Sequence, residues 1–421
     1  MPAFTHLVRA TAAGLVTIAL ACTAGPVAPA TTLAPNGKPV TNAAGTTFGI
    51  LSHRGGAGQW PENSAVAYAN SVAERFDGIE TDIVFTSDGV GVMSHYDVLP
   101  TRCTEAGRSI HRMTLAEVAL VRCADLTGAK VVPIPTFAEL AAILKGHTDV
   151  GLTLDIKSYH GQSGAGKRAW ASKAIRLVRD AGLLAQTTIL TFYWADSLPV
   201  IRKYARKVYV LALDNGTIDL DRVRLAARLG ADGFGIKMKY TSESFVRYVR
   251  AKGMDSVPWE VLGTEFQAFT IAYAGKLRLF SSDMPTETRA DLLAGRINLN
   301  PVARAATTSL PSPVTISNGT YSANRRHYPR VLKTAVPAAD VAMLRNVTLT
   351  VTVRAGKGKG KLYVGAMSSP LKSSVTLRLP KGTGTFRIAV PLGDGGKLRI
   401  YTTARVKLAV KVVSYTRVRF A

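Results

Sequence analysis

The stretch Gly78-Ile79-Glu80-Thr81-Asp82-Ile83-Val84 is the most informative for the fold, because an apolar strand pattern carries two carboxylates there, two residues apart. Seven other short apolar runs occur from residue 45 onward, and longer helical patterns separate them. The eight runs are residues 48–52, 78–84, 151–156, 188–192, 208–213, 233–237, 256–261 and 277–281. Such alternation is typical of parallel βα units. Eight units match the closed (β/α)8 TIM barrel, so we predict an α/β barrel over residues 45–297.

A segment rich in turns follows the second predicted strand. Ser87-Asp88-Gly89 predicts a hairpin that extends this strand, and residues 97–132 then form an insertion. Cys103 and Cys123 lie in the insertion, and Cys22 is the third cysteine of the chain. In an oxidising compartment we expect Cys103 and Cys123 to form a disulfide. A metal pair is the alternative, although no further Cys or His stands at ligand spacing.

The first thirty residues have the pattern of an export signal. Arg9 precedes an apolar stretch over residues 10–22, and Ala28-Pro29-Ala30 offers a cleavage site for a signal peptidase. We therefore predict a signal peptide over residues 1–30 and a secreted or cell-wall associated protein. Anchoring as a lipoprotein through Cys22 is the alternative, because Ala19-Leu20-Ala21-Cys22 is close to a lipoprotein box.

The C-terminal quarter differs from the barrel in pattern and charge. Residues 298–314 contain Pro301, Pro311 and Pro313, and they predict a linker. Beyond it, apolar residues alternate with Lys, Arg or Thr, as in half-buried antiparallel strands, so we predict a small all-β sandwich domain over residues 315–421. Most of the net charge of +25 belongs here, because residues 311–421 hold 20 Lys and Arg against two acidic residues.

The predicted strand ends carry reactive side chains, and the active site of a βα barrel lies at those ends. Glu80 and Asp82 share one face of a strand, and Asp155 arrives from the next strand. Buried carboxylates need compensation, so they either bind a cation or pair with Arg54 and Lys157 in a salt-bridged cluster. Three carboxylates favour a hard divalent cation, Ca²⁺ or Mg²⁺, over zinc.

Basic and titratable side chains lie in the same motifs. Arg54 and Lys157 can hold anionic oxygens beside a metal ion. His53 and His95 suit proton transfer, because imidazole titrates near neutrality. We prefer His95 to His111, which lies within the predicted insertion. Further strand ends carry side chains without an assigned role: Tyr193, Lys237, Trp259, Glu260 and Asp283.

These motifs together are more specific than any one of them. In chain order they are His53-Arg54-Gly55, Pro61-Glu62-Asn63-Ser64, Glu80-Thr81-Asp82, Ser87-Asp88-Gly89, His95, Leu154-Asp155-Ile156-Lys157 and Ser282-Asp283-Met284-Pro285. Their order and spacing resemble those of the glycerophosphodiester phosphodiesterase family over residues 48–290. The resemblance implies a (β/α)8 barrel that hydrolyses glycerophosphodiesters to glycerol phosphate and an alcohol.

The resemblance also implies a role for each motif residue. These roles are general acid and base for His53 and His95, Ca²⁺ or Mg²⁺ binding for Glu80, Asp82 and Asp155, phosphate binding for Arg54 and Lys157, and ordering of the site for Glu62 and Asn63. Capping of the following helix is a second role for Asn63 or Ser64. Two positions depart from the family pattern. Asp155 stands where Glu is common, and Tyr96 separates His95 from the Asp that usually follows it directly.

The predicted β-sandwich is similar to β-domains of secreted actinobacterial proteins. Its two acidic residues and His327 cannot form a hydrolytic centre, so we expect it to bind an anionic cell-wall polymer or a membrane surface, or to be basic for solubility alone. We expect no nucleic-acid partner. Two alternatives to the leading function stay open. They are a phospholipase D-like hydrolase of lysophospholipid or sphingomyelin headgroups, and a non-catalytic cell-wall-binding protein.

Overall fold

The computed structural model describes most of the barrel and most of the C-terminal domain. The described residues are 40–41, 47–215, 219–261, 264–273, 279–327, 336, 344–355, 360–366, 374–391 and 398–420. The predicted signal peptide over residues 1–30, Cys22 and the first part of the eighth predicted strand lie outside them. No helix among these residues is long and apolar enough to cross a membrane.

Eight parallel strands form the curled sheet of a TIM-like barrel. They are β1 (Thr47–Ser52), β2 (Gly78–Phe85), β3 (Gly151–Ile156), β4 (Thr187–Thr191), β5 (Tyr209–Asp214), β6 (Gly233–Ile236), β7 (Asp255–Ser256) and β8 (Leu279–Ser282). Strands β1 to β7 pair in chain order, and β8 pairs in parallel with β1. The prediction of an α/β barrel from eight apolar runs is therefore confirmed.

Helices follow the strands and cover the outside of the sheet, as βα units require. They are α1 (Ala65–Ala73), α2 (Leu115–Val118), α3 (Phe137–Leu144), α4 (Gly164–Asp180), α5 (Trp194–Tyr204), α6 (Leu220–Arg228), α7 (Glu243–Arg250), α8 (Thr264–Ala272) and α9 (Pro285–Leu293). Ser64 caps α1 by accepting a hydrogen bond from Ala67 N, so the capping role falls to Ser64.

The segment between β2 and α3 has the predicted hairpin and insertion. Strand Gly91–Met93 pairs antiparallel with the end of β2, and strands Arg122–Ala124 and Val131–Pro133 form a small ribbon. A disulfide joins Cys103 to Cys123, which confirms the predicted pair. The bond closes a loop inside the insertion, between the hairpin that follows β2 and helix α3.

The C-terminal domain is a sandwich of two four-stranded antiparallel sheets, as predicted. Its strands are β9 (Ala303–Tyr321), β10 (Arg326–His327), β11 (Leu344–Ala355), β12 (Lys361–Ala366), β13 (Val375–Arg378), β14 (Gly382–Pro391), β15 (Leu398–Thr402) and β16 (Val406–Phe420). One sheet has the order β9-β16-β11-β14 and the other β10-β15-β12-β13. Apolar side chains from both sheets, such as Val351 and Val364, form a common core.

One boundary was predicted wrongly. Residues 303–314 belong to β9, although the prolines in this segment predicted a linker. Pro311 and Pro313 are tolerated because β9 is an edge strand and because its pairing with β16 is interrupted between Ser309 and Val314. A proline at such a position removes no hydrogen bond from the sheet.

Candidate active site

The turn after β1 places His53 and Arg54 at the C-terminal end of the barrel sheet. Arg54 has a left-handed backbone, with a φ of 50°, and its N–H donates to Glu80 Oε2 at 2.9 Å. His53 Nδ1 lies 2.5 Å from Asp283 Oδ1, and its Nε2 lies 3.8 Å from Glu80 Oε2. Burial alone lowers the pKa of His53, but Glu80 and Asp283 outweigh it, so the net pKa is raised.

Three buried carboxylates meet at the ends of β2 and β3. Asp82 and Asp155 are directly opposite in the register of the two strands, and Glu80 shares the same face of β2. One oxygen from each of the three lies within 4.8 Å of the others. This is the set that the sequence predicted to share one cation.

The pKa values of the three carboxylates shift in different directions. Burial raises the pKa of Glu80 to about 7, and the neighbouring Asp82 charge adds to the rise. Burial also acts to raise the pKa of Asp82, but the Lys157 ammonium and then His95 hold it well below its usual range. Lys157 Nζ lies 2.7 Å from Asp82 Oδ1 and 2.5 Å from Asp155 Oδ2. The pKa of Asp155 is nevertheless raised by burial.

Asn63 and Glu62 contact the site from the loop before α1. Asn63 Nδ2 donates to Asp82 Oδ2 at 2.8 Å, and Asn63 Oδ1 accepts from Thr81 Oγ1 at 2.8 Å. Glu62 accepts a hydrogen bond from Arg54 Nη1 at 3.0 Å. Asn63 has a φ of 50°, a conformation that asparagine adopts more readily than most residues. These contacts join Asn63 to Asp82 and Glu62 to Arg54, and the ordering role of the pair stays a prediction.

The two candidate histidines of the second motif have different surroundings. His95 Nδ1 lies 3.2 Å from Asp82 Oδ1, so its ring borders the three carboxylates. His111 instead lies 2.7 Å from Asp97 Oδ2 through Nδ1, and its ring stacks on Tyr159 with centroids 3.9 Å apart. The structure therefore brings His95 to the site, whereas His111 contacts Asp97 and Tyr159 instead of the carboxylates.

The sequence of the barrel matches a known protein family. The model of the glycerophosphoryl diester phosphodiesterase family matches residues 53–272, which is more than half of the chain. The chain belongs to the glycerophosphoryl diester phosphodiesterase family.

Curated relatives agree with this membership. A glycerophosphodiester phosphodiesterase of Caldanaerobacter subterraneus is 31% identical over 111 residues, which cover 26% of this chain and 45% of the relative. Glycerophosphodiester phosphodiesterase 1 of Bos taurus is 23% identical over 240 residues, covering 50% and 71%. Lysophospholipase D GDPD3 of Mus musculus is 36% identical over 73 residues, covering 17% and 22%. The match spans less than half of the first and third of these relatives.

The structural likeness extends over the whole barrel. A structure described as a candidate glycerophosphoryl diester phosphodiesterase from Silicibacter pomeroyi DSS-3 has a TM-score of 0.53 and 21% identity. The alignment covers 59% of this chain and 94% of that chain. At this identity the likeness shows the barrel fold of the phosphodiesterase family.

A divalent cation fits the carboxylate cluster. Asp155 Oδ1 is buried and has no hydrogen-bond donor among the residues that the structure describes. A buried acceptor without a donor is costly unless a cation or water completes it. Three acidic oxygens that converge in a buried place could therefore hold a hard divalent cation.

Two side chains in the site had no role assigned from the sequence. Asp283, named only as a strand-end and motif residue, lies against His53 because β8 pairs with β1. Arg102, from the insertion, donates to Glu62 and so connects the disulfide-linked segment to the site. A signal for Asp283 existed in its position after the last strand, but nothing near Arg102 in the sequence identifies its partner.

Proposed function

We propose that the chain is a metal-dependent glycerophosphodiester phosphodiesterase that releases glycerol phosphate and an alcohol. The observation that carries the proposal is the placement of two imidazoles against one cluster of buried carboxylates. His53 contacts Glu80, and His95 contacts Asp82. Proton transfer groups on a cation-binding cluster are what hydrolysis of an anionic diester requires.

Glu80, Asp82 and Asp155 would hold the cation, Ca²⁺ or Mg²⁺. Such an ion, when bound, neutralises charge on the phosphate and polarises its oxygens. Arg54 and Lys157 extend this neutralisation from the protein side. Both side chains are mostly buried, so their charges act in an environment that screens them weakly.

The two histidines have complementary tasks. Asp283 accepts the Nδ1 proton of His53 and favours the imidazolium, so we assign His53 the donation of a proton to the leaving alkoxide. His95 takes a proton from the attacking water, whose oxygen forms the new bond to phosphorus. The bond between phosphorus and the alcohol oxygen breaks as the new phosphorus–oxygen bond forms, and the two protons balance the charges that develop.

A direct assay tests this function. Purified protein should hydrolyse several glycerophosphodiesters, lose activity with a chelator, and recover it with added Ca²⁺ or Mg²⁺. His53→Ala and His95→Ala should each reduce turnover by about 10²-fold or more, because general acid–base groups contribute roughly 10² to 10⁴. Full activity in metal-free protein would refute the metal assignment.

A second candidate activity is the phospholipase D-like hydrolysis of lysophospholipid headgroups. The observation that favours it is the name of the mouse relative, a lysophospholipase D. The two candidates differ in the size of the substrate's apolar part. Comparing turnover of glycerophosphocholine with that of lysophosphatidylcholine in the same preparation separates them.

The β-sandwich is proposed to hold the enzyme at an anionic cell-wall polymer after export. Arg354 lies opposite Lys407, while Arg387 and Lys411 flank Thr350 on the same exposed face of one sheet. Like charges directly across two strands destabilise a sheet, so this basic face does not stabilise the fold, and solubility alone is the alternative to an anionic partner. Retention near a phosphate-rich polymer would raise the local concentration of substrate.

Charge removal in the full chain tests the tether. A variant with Arg354→Gln, Lys407→Gln and Lys411→Gln should lose salt-sensitive binding to isolated cell walls and keep its turnover of soluble diesters. The matched control replaces Lys145, Arg206 and Lys252, which are exposed on the barrel, in the same way. Wall binding that survives the first variant, or binding only to anionic lipid vesicles, would contradict the proposal. Secretion itself is tested by fractionating cells and by N-terminal sequencing of the exported protein.

A further inference from the structure

A second group of side chains lies at the ends of β4 and β6 and just after β7, next to Lys157. Phe192 and Trp259, which we call the aromatic wall, meet edge to face with centroids 5.3 Å apart. Lys157 Nζ lies 5.9 Å from the centroid of Phe192. Phe192, on one side of the wall, therefore borders the cation that we assign to phosphate binding, and Trp259 lies next to Phe192.

The position of Trp259 is held from several sides. Met238 N donates to Trp259 O at 2.7 Å, and Trp259 Nε1 donates to Asp214 O at 3.2 Å. Gly235 permits the close approach of the segment before Trp259, because a Cβ at this position would lie 1.8 Å from Val257 O. A side chain fixed in this way presents a preformed ring face at the mouth of the barrel.

The face of Trp259 carries an ammonium group from the protein itself. Lys237 Nζ lies 4.5 Å from the ring centroid of Trp259 and 2.5 Å from Glu260 Oε1. An aromatic face beside a carboxylate is the arrangement that binds ammonium groups, including quaternary ones, within about 6 Å of the ring. Lys237 therefore occupies a site whose chemistry suits an alkylammonium ion.

The backbone of Glu260 supports a binding role. Its φ of 53° lies in the left-handed region, which glutamate adopts only under constraint, and its side chain is 44% exposed. A partly exposed ion pair contributes little to stability, so the pair with Lys237 does not account for this conformation. An anionic group is disfavoured at the same place, because it would meet both the Glu260 charge and the negative face of the indole.

We propose that Trp259 and Glu260 form a subsite for an alcohol that carries an ammonium group, such as choline or ethanolamine, and that Lys237 fills it until substrate displaces the lysine. The inference rests on the proposed phosphodiesterase function and narrows its substrate class. Glu260 and Trp259 act on selectivity between diesters, while Lys237 competes with the ammonium group of the substrate.

Selectivity measurements test the subsite. The quantity is the ratio of kcat/KM for glycerophosphocholine to kcat/KM for glycerophosphoglycerol, whose alcohol is uncharged. Glu260→Gln should lower this ratio about tenfold, the scale of a lost cation contact, and Lys237→Met should raise it about threefold. Lys239→Met is the matched control, since Lys239 Nζ lies 5.2 Å over Tyr240 on the adjacent turn. A ratio that is unchanged in Glu260→Gln, or that falls in Lys237→Met, overturns the subsite.

A binding measurement separates failure of the subsite from failure of the proposed function. In calorimetry, choline chloride should bind more tightly to the Lys237→Met protein than to the original protein. The Glu260→Gln protein should not bind choline. If no glycerophosphodiester is hydrolysed but choline binds in this pattern, the proposed function fails and the subsite stands. If diesters are hydrolysed but choline does not bind to Lys237→Met, the subsite fails alone.

Discussion

Replacing Asp283 by Asn tests how the last barrel strand controls the chemistry at the first. The carboxylate accepts from His53 Nδ1 at 2.5 Å, and it favours the protonated ring that we assign as proton donor. Asparagine has the same shape but no charge, so Asp283→Asn removes the stabilisation of the imidazolium and leaves β8 and α9 in place. The test therefore concerns electrostatics and ring orientation rather than packing.

The expected loss is moderate because Asp283 is partly exposed. A buried aspartate that orients a catalytic histidine contributes about 10⁴ in kcat in serine proteases. The Asp283 side chain is 57% exposed, and solvent weakens its field, so we expect a fall in kcat of about 10- to 10²-fold.

The pH profile provides a second readout with a definite sign. Burial lowers the pKa of His53, whereas Glu80 and the hydrogen bond with Asp283 raise it, and the net result is a raised pKa. Asp283→Asn removes one of the raising contributions, so His53 loses its proton at a lower pH. Because the protonated ring is the active form of a donor, the alkaline limb of kcat/KM should move to lower pH.

Steady-state kinetics on a soluble diester at saturating metal, from pH 5 to pH 10, measures both quantities. Asp291→Asn is the control, since Asp291 lies in α9 and pairs with Arg296 on the surface. An alkaline limb that stays in place or moves upward in Asp283→Asn would show that His53 is not the donor. A normal kcat would show that Asp283 has no part in turnover.

Three further predictions concern the cation, the second histidine and the disulfide. Asp155→Asn should weaken Ca²⁺ or Mg²⁺ binding by at least about tenfold in calorimetry, because it removes one negative charge from the three buried carboxylates. Unchanged affinity would show that the ion binds elsewhere. His95→Ala should lose activity. His111→Ala should keep its activity and lower the free energy of unfolding by about 1 to 2 kcal/mol. Kinetic and denaturation assays of both variants measure this, and the reverse pattern would exchange the roles of the two histidines. Cys103→Ser should lower the unfolding free energy by about 2 to 4 kcal/mol, seen as a lower denaturation midpoint, and an unaltered midpoint would show that the bond adds no stability.

Much of the barrel could be predicted because each βα unit carries its own local signal. Residues 151–156 were predicted as a strand from their apolar run, and β3 has the same bounds. The start of β9 could not be predicted in this way. The prolines in this segment predict a linker from the local sequence. A strand is possible there only because β9 lies at the edge of the sheet and its pairing with β16 is interrupted.

The same distinction applies to the site. Glu80 and Asp82 were predictable as neighbours because alternate residues of a strand share a face, and Asp155 followed from the order of the strands. The contact between Arg102 and Glu62 depends on the path of the insertion, and no period in the sequence encodes that path. The conformation of Glu260 is likewise invisible in the sequence, since glutamate does not signal a left-handed backbone.

The chain's own lysines pair with carboxylates at both places where a ligand is expected. Lys157 bridges Asp82 and Asp155 at the proposed metal site, and Lys237 bridges Trp259 and Glu260 at the proposed alcohol subsite. The Lys157 contacts are buried and offset the cost of burying the two carboxylates, whereas the pair of Lys237 with Glu260 is partly exposed and contributes little to stability. At the alcohol subsite, binding then exchanges the ammonium group of Lys237 for that of the substrate, which limits affinity and favours release of product. Removing Lys237 should therefore tighten product binding at the alcohol subsite, so that choline becomes a stronger competitive inhibitor of the variant than of the original enzyme.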